Sequence, residues 1–161
     1  MERTQIGELF DKYGPSIYRR ALVLLGNHHD AEEASQEVFL RALRHLDSFE
    51  ERSSAHTWLI RITTNHCLNL LRDRRRRGEL RKQHLEPVPG RLPAAADPGD
   101  MLQVRRLLAE ADEDEARAAV YVFVEGMSQA EAAGYLGVSR RTVGNLIERF
   151  CQWAAGRLAP G

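Results

Sequence analysis

The sequence predicts an all-α protein, two small helical domains joined by a flexible linker, and three observations lead there. Apolar residues recur with a 3.6-residue period through most of the chain, with no sustained two-residue alternation and no hairpin dipeptides between β-branched runs. Residues 87–100 hold four of the six prolines and no helical periodicity, which marks a linker between a first domain, 1–86, and a second, 101–161. At 161 residues and 43% hydrophobic content the chain has enough apolar material for a core, though each domain is near the lower size limit for folding alone. The longest apolar runs, such as residues 21–25, are far short of the roughly 20 residues needed to cross a bilayer. Residues 1–5 carry no secretion pattern, so no membrane insertion and a cytoplasmic location are expected. Cys67 and Cys151 are far apart and have no ligand spacing around them, which excludes a thiolate zinc site and a disulfide framework. Two buried thiols are expected, and no metal or cofactor.

The first helix is expected from about Thr4 to Leu25, with Ile6, Phe10, Ile17, Ala21 and Leu24 inward, and Gly26-Asn27 ends it. Asp30 can cap a second helix, with Glu33 reaching back in an Asp-x-x-Glu capping box, and the helix runs to about Leu46. Ala31, Ala34, Val38, Phe39, Ala42, Leu43 and Leu46 face inward. That leaves Glu33, Gln36, Glu37, Leu40, Arg41 and Arg44 as one continuous outer stripe, the pattern of a contact surface and equally of a solvated face. After a turn-rich stretch, 47–56, a third helix starts near Thr57. One side of it carries Thr57, Arg61, Thr64, Asn65 and Arg72, with Asn69 at the margin, opposite Leu59, Ile62 and Leu70. An uncharged polar face leading into a cationic segment suits nucleic-acid bases next to phosphates.

The second domain carries the most specific pattern, residues 128–148. Ser128 and Glu131 form a capping box that starts one helix. Gly137 falls where a tight turn between crossed helices needs positive φ, and Ala133 is small enough for the next helix to approach. Leu136, Val138, Val143 and Leu146 supply the apolar contacts, and Ser139 caps the second helix. This is a helix-turn-helix, with a merely structural hairpin as the alternative. Its second helix sends Arg140, Arg141, Thr142 and Asn145, with Arg149 further along, toward base edges and phosphates of a major groove.

The 23 basic and 23 acidic residues cancel, against a chain that coats nucleic acid through bulk charge. Locally they separate. From Arg72 to Lys82 seven basic residues, Arg74 to Arg77 among them, face two acids, whereas Glu110 to Glu115 holds five acids and no base. Arginine makes up 21 of the 23 cations, which fits phosphate recognition or a GC-rich genome. Four adjacent arginines repel one another unless an anionic partner meets them. The acids can end a helix in solvent, weaken duplex contact or bind a basic surface.

Three segments together resemble the small, two-domain sigma factors of the extracytoplasmic-function type: residues 24–27 leading into 30–42, then 57–65 with the arginine-rich continuation, then 125–128 with the helix-turn-helix. The resemblance implies a specificity subunit of bacterial RNA polymerase that directs initiation and is not an enzyme. The stripe Glu33, Gln36, Glu37, Leu40 and Arg41 would dock on the coiled coil of the beta-prime subunit, and the beta subunit would complete the core contacts. The loop 47–56 and third helix would open the promoter minus-10 element: Thr57, Thr64, Asn65 and Asn69 reading unstacked bases, Arg61, Arg72 and Arg74, Arg75, Arg76, Arg77 meeting phosphates. Ser139, Arg140, Arg141, Thr142, Asn145 and Arg149 would read the minus-35 element as duplex, and the linker would thread toward the RNA exit path. The family often carries Lys or Arg where this chain has Gly144, Leu146 and Phe150. No acidic segment precedes the first helix, so restraint of the free protein would come from an anti-sigma factor or from the two domains packing together.

Three rival classes remain, an enzyme, a dimeric helix-turn-helix regulator and a helical adaptor without DNA contact. An enzyme would lean on His28-His29-Asp30 or His66-Cys67, but adjacent histidines cannot face one metal from a regular helix and no second ligand cluster follows. A dimeric helix-turn-helix regulator would bind palindromic duplex without polymerase.

Overall fold

The computed structural model describes residues 3–49, 54–78 and 98–158. Every regular element among them is helical: α1 (Arg3–Leu25), α2 (His28–Arg44), a 3-10 turn (Leu46–Ser48), α3 (Ala55–Arg76), α4 (Pro98–Glu110), α5 (Glu113–Ala119), a π-helical turn (Val120–Val124), α6 (Gln129–Leu136) and α7 (Arg140–Leu158). No helix among the described residues is long and apolar enough to cross a membrane.

Local chemistry sets the boundaries, and several differ from expectation. Gly26 adopts a φ of 87° and returns its N–H to the Leu22 carbonyl at 2.9 Å, which ends α1. The next residue, Asn27, is extended and accepts the Asp30 N–H at 2.9 Å, while its amide donates to the Asp30 carboxylate. Asn27 is therefore the cap, α2 starts at His28, and Asp30 is the reciprocal partner in the first turn rather than the cap itself. Glu33 lies one turn too far along to reach back and pairs with His29 on the surface. At the other end α2 stops at Arg44, and the 3-10 turn swings Leu46 into the core. Ser54 accepts the Thr57 N–H at 3.1 Å, so α3 begins at Ala55, two residues before the expected Thr57. Helix α4 begins at Pro98, inside the stretch expected to be linker; a proline costs nothing in a first turn, where its missing N–H has no helical acceptor. Residues 87–97 of that stretch lie outside the described residues, as do residues 50–53 of the 47–56 loop.

Helices α1, α2 and α3 form a bundle around Ile17, Leu24, Val38, Leu59, Ile60 and Leu71, all fully buried. In the second domain α7 packs on α5 and α6 through Val143, Leu146, Ile147 and Phe150. The two cores are continuous. Leu108, Ala111, Ala116 and Val120 join Leu25, Leu68 and Leu71 in one apolar cluster, while Tyr121, Ala132 and Val143 join Ile17, Val38 and Ile60 in another. Helix α3 is the element both domains share, touching α1 and α2 on one flank and α4, α5 and α6 on the other.

Three expected core positions are not core. Phe10 is 48% exposed and meets Phe39 edge-on, with ring centroids 5.0 Å apart. Val138 follows the turn glycine and is 38% exposed. Of the two cysteines, Cys67 is buried and its thiol is pushed up to about 12 by that burial, but Cys151 is exposed on the outer side of α7.

Gly137 has φ 69° and ψ 32°, a left-handed conformation that costs a residue with a Cβ about 1–2 kcal/mol. Gly134, in the interior of α6, has open space where a Cβ would stand. Gly137→Ala is expected to lower stability by about 1 kcal/mol and Gly134→Ala to raise it by about 0.5–1 kcal/mol. Urea midpoints of the two variants moving in the same direction would contradict this account of the turn.

Candidate nucleic-acid and partner interfaces

The outer stripe of α2 is a preset surface. Glu37 Oε1 accepts Arg41 Nε at 3.1 Å and Arg44 Nη2 at 2.9 Å, which ties three side chains of the stripe into one lattice. The Arg41 hydrogen bond, with that of Arg44 behind it, holds the Glu37 carboxyl below its ordinary pKa. Leu40 stands 52% exposed beside them, a large apolar group with nothing over it, and Gln36 and Glu33 are exposed as well. Beneath the stripe lies His66 of α3, buried; burial, and then the Arg41 charge, push its pKa down. His29, Asp30 and Glu33 come together on this end of α2, but the Asp30 carboxylate is already held by Arg74 at 2.6 Å.

The polar face of α3 behaves differently, because α4 to α6 lie over it. Arg61 donates through Nε to the Tyr135 carbonyl at 2.5 Å and through Nη2 to the Gly134 carbonyl at 2.8 Å. Thr64 is 2% exposed and lies beside the buried Tyr121. Asn65 is exposed and accepts Arg117 Nη1 at 3.3 Å; Asn69, also exposed, lines a small recess with Asn65, Arg72 and Glu113. Thr57 shares its hydroxyl with Ser54 at the helix start. In the arginine run Arg72 pairs with Glu113 at 3.0 Å and Arg75 with Glu110 at 3.0 Å, both acids from the second domain. Arg74 is turned inward onto Asp30, whereas Arg76, near Asp73 at 3.8 Å, and Arg77 are exposed.

The helix-turn-helix forms as its local chemistry requires. Ser128 Oγ accepts the Glu131 N–H at 3.1 Å and Glu131 Oε1 accepts the Ser128 N–H at 3.2 Å, the complete capping box. Gly137 and Val138 both return their N–H groups to the Ala133 carbonyl, and Ser139 Oγ accepts the Thr142 N–H at 3.1 Å to start α7. Arg140, Arg141, Asn145 and Arg149 are exposed, the last three one turn apart on a single stripe; Ser139 is exposed and Thr142 half-buried. Leu146 and Phe150 are buried against the second-domain core.

Sequence reasoning missed Arg105. It is 2% exposed, donating from Nε to the Leu24 carbonyl at 3.0 Å and from Nη2 to the Val23 carbonyl at 2.7 Å, at the C-terminus of α1. Burial lowers its pKa to about 10, so it stays charged at neutral pH. A signal existed: Arg105 falls at helical spacing among Met101, Leu102 and Leu108, a cation in an apolar stripe.

A three-helix bundle with an arginine-rich third helix is thus followed by a capped helix-turn-helix with an arginine stripe. Residues 9–77 match the family model for sigma-70 region 2 and residues 101–151 that for sigma-70 region 4. The chain is 36% identical over 160 residues to the ECF RNA polymerase sigma factor SigE of Mycolicibacterium smegmatis, covering 94% of this chain and 61% of the relative. It is 30% identical over 158 residues to SigM of Mycobacterium tuberculosis, covering 98% and 77%. Among solved structures, CnrH in complex with the cytosolic domain of CnrY shares the fold with a TM-score of 0.60 at 24% identity, over 98% of this chain and 89% of that one. RpoE in complex with the anti-sigma factor NepR from Bartonella quintana shares it with a TM-score of 0.54 at 22% identity, over 94% and 95%. The chain belongs to the ECF sigma factors of the sigma-70 family. It spans less than two thirds of the length of SigE and of SigG from Mycobacterium tuberculosis, 61% and 44%.

His56 and His66 both have pKa values lowered chiefly by burial, so an unfolded chain takes up protons that the folded one refuses. Their contribution to stability is complete above the ordinary value of about 6.5 and is lost as pH falls below it. The urea midpoint is expected to drop between pH 7.5 and 5.5, and His66→Gln to flatten that drop; a midpoint independent of pH across this range would contradict the assignment.

Proposed function

We propose that this chain binds core RNA polymerase and directs promoter-specific initiation, as a detachable subunit that performs no catalysis and works in the cytoplasm. The observation that carries the reading is the order of the two region models on one chain, with an exposed contact stripe in each matched segment. In this reading Glu33, Gln36, Glu37, Leu40 and Arg41 of α2 dock on the beta-prime coiled coil, Leu40 filling an apolar pocket and the Glu37 lattice fixing the charges around it. The domain boundaries are 1–86 and 101–161, and the segment between them bridges two contacts on the polymerase, including its beta subunit.

On α3, Asn65 and Asn69 offer amide groups to opened bases of the minus-10 strand, with Thr57 at the helix start and Thr64 available once Tyr121 withdraws. Arg61, Arg72, Arg75, Arg76 and Arg77 meet phosphates, and Arg74 adds field from its pair with Asp30. Stacking and hydrogen bonds to unpaired bases offset an unstacking cost of a few kcal/mol per base. In the second domain Arg140, Arg141, Asn145 and Arg149, with Ser139 and Thr142 at the helix start, enter the minus-35 major groove. CnrH and RpoE, which share the fold, were captured with the cytosolic domain of CnrY and with the anti-sigma factor NepR, and by analogy an anti-sigma factor restrains this chain too.

Glu37→Arg reverses the charge at the centre of the α2 stripe without touching the core. It is expected to reduce core-polymerase retention in a pull-down by at least tenfold while leaving the helical circular dichroism unchanged. Purified protein with core enzyme should yield specific transcripts from a genomic template library. Tight binding of a palindromic duplex by the protein alone, as a dimer, with no association with core, would favour the dimeric regulator instead.

A further inference from the structure

We infer that Gly144 opens a notch in the groove-facing surface of α7, and that Gln129, lying over it from α6, reads a base edge with an exocyclic amino group there together with Glu148. Resting on the minus-35 assignment of α7, this adds two determinants of sequence preference to the arginines already placed on that helix.

Helical spacing puts Arg140, Gly144 and Glu148 on one stripe of α7, next to the stripe of Arg141, Asn145 and Arg149. Gly144 therefore stands in the middle of the surface that would enter a major groove, with arginines one turn before it and Glu148 one turn after. A glycine inside a helix gives up backbone entropy and packing, so it survives there only where a side chain is unwelcome. Here the obstacle is Gln129. A Cβ built on Gly144 would stand 3.2 Å from Oε1 of Gln129, the first residue of α6, closer than ordinary van der Waals contact. Gly156 in α7 and Gly134 in α6 have no such neighbour. The bare backbone at 144 thus lets an amide from the preceding helix occupy the place where α7 would otherwise project a side chain of its own. That amide is carried on a firm support: the capping box of Ser128 and Glu131 fixes the first turn of α6, and Ala132 and Ala133 are packed with Val143 and Leu146 in one buried cluster.

The chemistry of the two polar groups limits what they can meet. Gln129 is half-buried and Glu148 exposed, and among the described residues neither side chain has a hydrogen-bond or ion-pair partner. Gly144, four residues before Glu148, offers it no partner at i,i+4 spacing. A carboxylate can only accept, and beside Arg140, Arg141 and Arg149 it works against the approach of phosphates unless a donor meets it. In the major groove those donors are N4 of cytosine and N6 of adenine. Guanine and thymine present the acceptors O6 and O4 instead, which a carboxylate repels. The glutamine amide accepts from the same amino group through Oε1 and can donate to a neighbouring acceptor such as adenine N7. Arginines, which favour guanine and phosphate, cannot supply this preference.

The test uses the full chain assembled with core RNA polymerase. A promoter duplex pool randomised over the minus-35 element is selected with the wild-type holoenzyme. The enriched duplex and its complete set of single base-pair substitutions are then titrated against wild type, Gln129→Ala, Glu148→Ala and Gly144→Lys. Wild type is expected to prefer cytosine or adenine at one base pair or at two adjacent ones, and each alanine variant to lower discrimination there by about tenfold while keeping it elsewhere. Because Glu148→Ala also removes a repelling charge, the readout is the ratio between duplexes rather than affinity. Gly144→Lys sets a cation in the notch, displaces Gln129 and improves the helix propensity of α7, so the fold is kept and the preference at that pair is expected to turn toward guanine. Discrimination unchanged in either alanine variant overturns the inference, and so does a loss equal for all duplexes, the mark of a backbone contact only. In those outcomes the enriched sequence still supports the minus-35 reading. A holoenzyme that enriches no minus-35 sequence removes that reading and the notch with it, and failure to associate with core removes the sigma-factor function as a whole.

Discussion

A guanidinium taken almost wholly out of water sets the terms for the rest of the molecule. Leaving a cation such as Arg105 buried without acceptors would cost several kcal/mol, so its position must be matched by oxygen atoms that nothing else needs. The end of α1 supplies them, because the last carbonyls of any helix lack intrahelical partners. Two unsatisfied sets, one on each domain, thereby satisfy each other. That match ties α4, which packs mainly on α3, to the end of α1. The pairs of Arg72 and Arg75 with Glu113 and Glu110 follow from that placement. As partly exposed pairs they contribute little alone, on the order of 0–1 kcal/mol each.

The neutral total charge takes on a different meaning once the charges are located. Part of the basic run of α3 and part of the acidic run meet across one seam, Arg72 with Glu113 and Arg75 with Glu110. Exposed outside these pairs stand the α2 stripe, with Leu40 uncovered, the α7 stripe of Arg141, Asn145 and Arg149, and Arg76 and Arg77 at the end of α3.

How much of this was legible depends on the range of the interaction. The helix-turn-helix was legible because each device in it is local: Ser128 with Glu131, Gly137 at the turn, Ser139 at the next helix start. Where two local devices competed, the choice was lost; Asn27 and Asp30 are both good caps three residues apart, and only the left-handed Gly26 decides for Asn27. Leu146 was legible as an apolar contact within the helix-turn-helix, whereas the inward position of Phe150 shows only in the packing of α7 on α5. The seam between domains was legible only as two unexplained charge runs. Its pairs join residues 35 and 41 positions apart, and Arg105 meets Leu24 across 81. No periodicity or spacing rule reaches that far.

The seam between the domains also carries the seeds of its own release. Exchanging a carboxylate for a phosphate keeps each arginine of α3 paired, so the electrostatic part of opening onto a DNA strand is close to an even exchange. The fit across the seam is even slightly deficient, since Nη2 of Arg72 is buried with no partner, a defect that typically costs about 1–3 kcal/mol. What holds the domains together against that exchange is therefore the part DNA cannot replace: the apolar seam around Leu108 and Val120 and the Arg105 latch on α1.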